Sequence, residues 1–304
     1  MSEGRHDMRD GKGLHRSLVL VGCGKMGTAM LRGWLAGGAI SRFYVVEPEG
    51  MPPGLAPAPE IEWHTTADTL PLGLALDAVV LAVKPQIIDA VLPPYRRWAR
   101  PETLFVSIVA GKTLAGLGRH LGPAAVIRTM PNTPAAIGRA ITVACANPRV
   151  TQEQRRLCDR LLAAIGESAW VEDEALIDAV TAVSGSGPAY VFLLIEALAR
   201  AGEDEGLPPA LALRLARSTV AGSGELARVA TESPATLREN VTSPGGTTRA
   251  ALDVLMAPDG LEPLIARAVA AAAARSRALA SGTKQTGERC HAEDGCRRRT
   301  PPKR

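Results

Sequence analysis

Through the first half of the chain, short apolar runs recur between polar, glycine-rich or proline-rich punctuation. Leu18 to Gly22, Phe43 to Glu47, Ala78 to Val83, Thr103 to Val109 and Ala125 to Thr129 each read as a strand with apolar residues on both faces. Ile141 to Ala144 and Ala169 to Glu172 read as further short strands. Between them, Lys25 to Leu35, Gln86 to Trp98 (interrupted by Pro93 and Pro94) and Thr151 to Ile165 read as helices, and Pro48 to Pro59 as a loop. Doubly buried strands alternating with helices predict an α/β fold, a doubly wound parallel sheet covered on both faces.

Beyond residue 172 the strand-like runs stop. Leu176 to Ala182, Pro188 to Glu205, Ala210 to Arg228, Arg249 to Met256 and Pro263 to Ala280 all read as helices. Val191 to Ala199 is apolar almost all round, so this helix needs burial deep in a core or against another chain. The expected organisation is an N-terminal extension over 1–16, a dinucleotide-binding domain over 17–172, an all-helical domain over 173–280 and a tail over 281–304.

Composition sharpens this picture. At 304 residues and 46% apolar, the chain has material for two ordinary domains. Aromatics are only 3%, too few for a base-stacking surface. The formal net charge of +4 resides in the tail, where seven Lys/Arg face three acids, leaving a neutral body without the basic face that nucleic acid requires. The extension and the tail, polar and charged, read as disordered. Five scattered cysteines, Cys23, Cys145, Cys158, Cys290 and Cys296, form no disulfide framework and no metal-ligand spacing, which points to a reducing compartment and no metal. The N-terminal residues lack an apolar secretory core, and charges interrupt the longest apolar runs, so a cytoplasmic protein with no membrane partner is expected.

The chemistry begins at the first strand, which runs directly into G-C-G-K-M-G. Gly22, Gly24 and Gly27 have G-x-G-x-x-G spacing between a predicted strand and a predicted helix, the context in which this pattern binds a dinucleotide. Gly22 permits the tight turn, Gly24 leaves room for the pyrophosphate, and Gly27 lets helix and strand approach. Cys23, Lys25 and Met26 contribute loop and helix-start amides that favour an anion. Glu47 ends the second strand, 25 residues after Gly22. There an acid accepts hydrogen bonds from the adenosine ribose and disfavours a 2′-phosphate; the alternative is a solvated charge at a strand end. Ala82, Val83, Lys84 and Pro85 close the third strand and Ala110 and Gly111 the fourth, small residues at the edge where ligands lie in such sheets. Asn132 sits between two prolines after the fifth, in a rigid turn at the same edge, and is a further cofactor-side candidate.

Further on stand S-G-S-G-P-A-Y, from Ser184 to Tyr190, and N-V-T-S-P-G-G-T-T, from Asn240 to Thr248. With V-G-C-G-K-M-G-T-A-M, A-V-K-P, S-I-V-A-G and M-P-N-T-P-A they occur in one order over roughly residues 18 to 280. In these motifs the chain resembles the pyrroline-5-carboxylate reductases. The resemblance implies a Rossmann domain followed by a helical dimerisation domain, NADPH or NADH as cofactor, and reduction of 1-pyrroline-5-carboxylate to L-proline, the last step of proline biosynthesis. It implies a homodimer, with five dimers assembling into a decamer. It assigns Ser243, Gly245, Gly246 and Thr247 to the substrate carboxylate, Thr248 to the ring nitrogen and Asn240 to the cofactor side of the site. At Glu47-Pro48, where members often carry a polar or basic pair beside the phosphate of NADP, the chain departs from the pattern.

A β-hydroxyacid dehydrogenase is the nearest rival. Its G-x-G-x-x-x-K-x-x-x-N helix would need a Lys at Val191 and an Asn at Ile195, and without that base an alcohol keeps its proton. A dinucleotide-binding protein without catalysis, or a reductase of six-membered cyclic imines, are the other readings.

Overall fold

The computed structural model describes residues 16–280 apart from Ala39. The expectations for the N-terminal extension (Arg16 aside), for the basic tail and for Cys290 and Cys296 lie outside the described residues.

Eight strands form one sheet: β1 (Ser17–Val21), β2 (Arg42–Val46), β3 (Ile61–His64), β4 (Ala78–Leu81), β5 (Leu104–Ser107), β6 (Ala125–Met130), β7 (Ala140–Ala146) and β8 (Gly166–Trp170), in the order β3-β2-β1-β4-β5-β6-β7-β8. Period-two alternation sorts the side chains to two cores. Leu18, Leu20, Val80, Leu104 and Val106 face the core that holds Met30, Leu31, Trp34 and Leu161. Val19, Val21, Val79, Leu81 and Phe105 face the core that holds Tyr95, Trp98, Leu117 and Leu121. Both faces are buried, which is why these strands carry apolar residues at successive positions.

The strands from β3 to β6 are mutually parallel, as expected. The far edge departs from an all-parallel sheet: β7 runs antiparallel to β6, and β8 runs parallel to β7. Only a short 3-10 turn, Thr133–Ile137, separates β6 from β7, too little chain for a parallel crossover. The sequence pattern does not predict β3. It is half-buried along its whole length and follows a proline-rich loop, so its pattern is weak.

Helices α1 (Lys25–Gly37), α2 (Ile88–Val91), α3 (Leu114–Leu121) and α4 (Gln152–Ala163) accompany the sheet. α3 is likewise absent from the sequence expectation. Two glycines weaken it internally, but the Thr113 side chain caps it by accepting from the Gly116 N–H, and Leu117 and Leu121 are buried. The predicted helix from Gln86 to Trp98 splits at the prolines into α2 and a 3-10 stretch, Pro93–Trp98.

The rest is helical: α5 (Leu176–Val180), α6 (Gly187–Asp204), α7 (Pro209–Val229), α8 (Pro234–Asn240), α9 (Thr247–Leu255) and α10 (Leu261–Ala280). α8, also unpredicted, starts at Pro234 with the Ser233 hydroxyl accepting from the Thr236 N–H. α6 and α7 pack closely through small residues, with an added Cβ on Gly202 meeting Ala212 at 3.4 Å. α10 returns to the sheet. A Cβ on Gly111 would meet Leu279 at 3.1 Å, and the Ser276 hydroxyl donates to Asp178 at 2.6 Å.

In a single chain this helical region has little core. α8 and α9 contain no buried residue, and Ala199 is the only buried residue of α6. Phe192 and Leu193 are 58% and 59% exposed. The expectation that charges interrupt every apolar run too soon to cross a bilayer needs correction. Leu176–Asp204 is continuous and, by length and composition alone, long and apolar enough.

Candidate active site

The parallel strands end in register. Val46, Val21, Leu81, Ser107 and Arg128 form one row across β2, β1, β4, β5 and β6. The next residues outward are Glu47, Gly22, Ala82, Ile108 and Thr129. The connections reverse direction between β1 and β4, so the crevice of this sheet opens above Gly22 and Ala82.

Gly22 donates its N–H to the Val46 carbonyl at 2.9 Å and turns with φ +88°. A Cβ there would meet both the Ala82 carbonyl and Val83 at 2.9 Å. Gly27 lies against the same turn, its ideal Cβ 2.5 Å from the Gly22 carbonyl oxygen. These two glycines serve backbone packing. Gly24 differs: an added Cβ meets no protein atom within 4 Å. It caps α1 with extended backbone, no side-chain oxygen caps the helix, and no acid stands in the first turn. The opening amides of α1 thus have no side-chain cap, and the helix start favours an anion there. A dinucleotide pyrophosphate fits this cradle: the helix start attracts it, and the missing side chain at Gly24 admits it.

The structure also brings Glu47 to the loop. Its Oε2 accepts the Cys23 N–H at 2.7 Å, while the Thr28 hydroxyl ties the other side of Cys23 by donating to its carbonyl at 2.9 Å. The Cys23 side chain is buried, and that burial raises its thiol pKa; Glu47 adds a smaller push in the same direction. Lys25 is exposed and Met26 half-buried at the start of α1. Ala82 and Val83 line the crevice beside Gly22, whereas Lys84 and Pro85 extend beyond it. Ala110 is half-buried, and Gly111 turns with φ +70° under the end of α10. Asn132 uses its side-chain oxygen internally, accepting the Ile141 N–H at 3.1 Å, which holds the β6–β7 turn.

The turn after β6 meets the helical region. A Cβ on Gly185 would come 2.5 Å from Met130, so S-G-S-G-P and M-P-N-T-P adjoin. Here the helix after α5 widens into a π-helical turn, Thr181–Gly185, closed by the Ser186 N–H on the Thr181 carbonyl at 2.8 Å. Such turns are frequent at functional sites. The Tyr190 hydroxyl donates to the Ala182 carbonyl at 3.0 Å, a structural role. Sequence reasoning passed over the pair that fastens the helical region to the sheet. Buried Arg128 meets Glu174 at 2.9 Å, and the same Glu174 oxygen accepts the Leu114 N–H at 2.8 Å. No local pattern marks either residue, since the partners are 46 positions apart.

Ser243 to Thr248 form a second turn that opens an uncapped helix, apart from the first. Gly245 turns with φ +69°, and Gly246 caps α9 in extended conformation without a side-chain cap. The Gly246 N–H is not free for a carboxylate, because it donates to the Ser243 carbonyl at 3.0 Å. The opening amides of α9, from Thr247 onward, have no side-chain cap. Thr248 is half-buried, Asn240 exposed. The turn opens on a depression of about 450 Å³ lined by Glu239, Thr242, Ser243, Pro244, Gly245 and Arg249. Among the described residues, no hydrogen bond or ion pair joins this turn to the crevice above Gly22 within one chain.

Comparison with known proteins accounts for both halves. Residues 174–279 match the family model for pyrroline-5-carboxylate reductase dimerisation, and residues 17–111 match that for NADP oxidoreductase, coenzyme F420-dependent. The chain is similar to pyrroline-5-carboxylate reductase of Pseudomonas aeruginosa, with 40% identity over 86% of this chain and 96% of the relative. It is 37% identical to that of Pisum sativum over the same shares. Among solved structures, a pyrroline-5-carboxylate reductase from Coxiella burnetii superposes with a TM-score of 0.77 at 31% identity, covering 87% of this chain and 98% of the other. The Plasmodium falciparum pyrroline carboxylate reductase with NADP bound superposes with a TM-score of 0.74 at 27% identity over the same shares. The glycine-bearing loop lies within one match and the turn at the start of α9, with the underburied helices, within the other, and the chain belongs to the pyrroline-5-carboxylate reductases.

Proposed function

We propose that this protein reduces 1-pyrroline-5-carboxylate to L-proline with a reduced nicotinamide dinucleotide, NADPH or NADH, completing proline biosynthesis in the cytoplasm. The observation that carries the reading is the pair of uncapped helix starts. One, at Gly24, suits a pyrophosphate; the other, at Gly246, suits a small carboxylate.

The cofactor, bound in the crevice above Gly22 and Ala82, supplies a hydride. The chain's own residues do the rest. The amides at the start of α1 hold the pyrophosphate, and Glu47 meets the adenosine ribose. Ser243 and the first-turn amides of α9 hold the substrate carboxylate, with Gly245 and Gly246 shaping the turn. The Thr248 hydroxyl hydrogen-bonds the ring nitrogen. The C=N carbon gains the hydride; a protonated imine keeps its proton, and a neutral one takes a proton from the Thr248 hydroxyl or water, giving a secondary amine. A protonated imine is already electrophilic, so positioning and charge complementarity carry the rate and no strong general acid is required.

The helical region makes the protein a homo-oligomer. The exposed apolar surface of α6, α7, α9 and α10 is the face that a second copy covers, and burial there, not a bilayer, accounts for the run over Leu176–Asp204. We place the division between the nucleotide and helical domains near residue 172. The active site is then assembled across the dimer, with the two cradles brought together by association, and five such dimers form the decamer.

The test follows loss of the near-ultraviolet absorbance of the reduced nicotinamide on adding 1-pyrroline-5-carboxylate. Thr248→Ala is expected to lower kcat more than about tenfold while leaving folding and dinucleotide affinity unchanged, and Thr248→Ser to retain most activity. No turnover from a folded oligomer that binds dinucleotide would overturn the assignment.

A further inference from the structure

Glu47 does more than end β2. Its Oε2 is fixed on the Cys23 N–H at 2.7 Å, and its own N–H donates to the His64 carbonyl at 2.9 Å. The side chain is half-buried, held against the loop that receives the pyrophosphate. β2 lies on the opposite side of β1 from β4, so Glu47 stands on the flank of the crevice where the adenosine half of a dinucleotide lies. From this position the carboxylate accepts hydrogen bonds from ribose hydroxyls and repels a phosphate at the 2′ oxygen.

Among the described residues, the segment that follows supplies nothing to offset that repulsion. Glu49 adds a second acid two residues on, and Pro48 between them has no N–H to donate. No Lys or Arg occurs from Glu47 to Glu60. The two arginines flanking this segment are committed elsewhere. Arg32 donates to the Gly54 carbonyl at 2.6 Å, and Arg42 pairs with Glu62 at 2.7 Å. Lys25 opens α1 and is exposed.

We infer that Glu47 makes this chain selective for NADH over NADPH, with the carboxylate recognising the unmodified ribose and excluding the 2′-phosphate. The inference rests on the reading of the crevice as a dinucleotide site. It sets this chain apart from the Plasmodium falciparum relative, whose structure holds NADP.

The experiment measures equilibrium binding of NADH and NADPH by nicotinamide fluorescence, and competition by 5′-AMP and adenosine 2′,5′-bisphosphate. It uses wild-type protein, Glu47→Gln, and Glu47→Ser combined with Glu49→Arg. Wild type is expected to bind NADH at least about tenfold more tightly than NADPH and to prefer 5′-AMP in the same sense. Glu47→Gln keeps an oxygen for the Cys23 N–H, so the loop stays in place while the preference shrinks to within about threefold. The double variant reverses it. Equal or tighter binding of NADPH by the wild type, or an undiminished preference in both variants, overturns the inference. Failure of both dinucleotides to bind overturns the crevice reading as well. Selective NADH binding without turnover of the cyclic imine leaves the inference standing and removes the proposed reaction.

Discussion

Replacing Gly24 by alanine separates a glycine kept for a ligand from one kept for packing. Gly24 has φ −66° and ψ −163°, extended backbone that alanine tolerates, and a Cβ meets no protein atom within 4 Å. Gly24→Ala is therefore expected to change stability by less than about 1 kcal/mol, toward stabilisation, because alanine restricts the unfolded chain. The methyl group, however, occupies the space through which a pyrophosphate reaches the opening amides of α1. Loss of one charge-assisted hydrogen bond costs about 1.5–3 kcal/mol, which corresponds to roughly a 10- to 150-fold weaker dinucleotide Kd. Gly27→Ala is the contrasting case. Its Cβ would lie 2.5 Å from the Gly22 carbonyl oxygen, so α1 must shift from β1. Overpacking of that kind costs about 1–3 kcal/mol of stability. Denaturant midpoints read stability and titration calorimetry reads affinity for both variants. A Gly24→Ala protein that folds normally and binds dinucleotide within about threefold of wild type would refute the argument. So would one that unfolds, since the space at Gly24 would then not be open.

Three other outcomes follow from particular contacts. Glu174→Ala leaves the buried Arg128 guanidinium and the Leu114 N–H without their acceptor. The expected loss is about 2–4 kcal/mol in urea unfolding, toward the lower end because water reaches Glu174; an unchanged midpoint would remove this pair as the fastening between sheet and helices. Leu193→Asp places a charge on the exposed apolar face of α6. It is expected to yield a protein of monomer mass in sedimentation with little activity, and an intact active oligomer would show that this face is not the interface. Burial raises the thiol pKa values of Cys23, Cys145 and Cys158, so each stays protonated through the neutral range. Peptide mapping after a thiol reagent at neutral pH should find all three unmodified until the protein is unfolded; rapid labelling of Cys158 in the native state would contradict its burial.

The strands β1, β2 and β4 to β7, helix α1 and the phosphate loop were legible because each records its environment locally. A strand buried on both faces has to be apolar at successive positions, and a tight turn at φ +88° against Ala82 has to lack a side chain at Gly22, as an open helix start does at Gly24. S-P-G-G-T-T was legible for a similar reason, since a turn that ends in an uncapped helix start needs glycine at Gly245, where φ is +69°. Elements held by a single cap or by long-range burial were not. α3 depends on Thr113 and on Leu117 and Leu121 reaching the sheet, and β3 is a half-buried edge whose pattern water dilutes.

What the sequence by itself determined was the fold class, the order of the motifs and the chemistry each can perform. Tertiary structure decided which residues share a space. It turned β7 and β8 against the rest of the sheet and committed the Gly246 amide to its own turn. It joined Arg128 to Glu174 across 46 positions and set Glu47 on the Cys23 amide across 24. Local sequence reports the burial and backbone conformation a residue must satisfy. The partner that satisfies it is chosen by the folding of distant segments onto one another, and the exposed apolar residues of α6, α7, α9 and α10 find none within one chain.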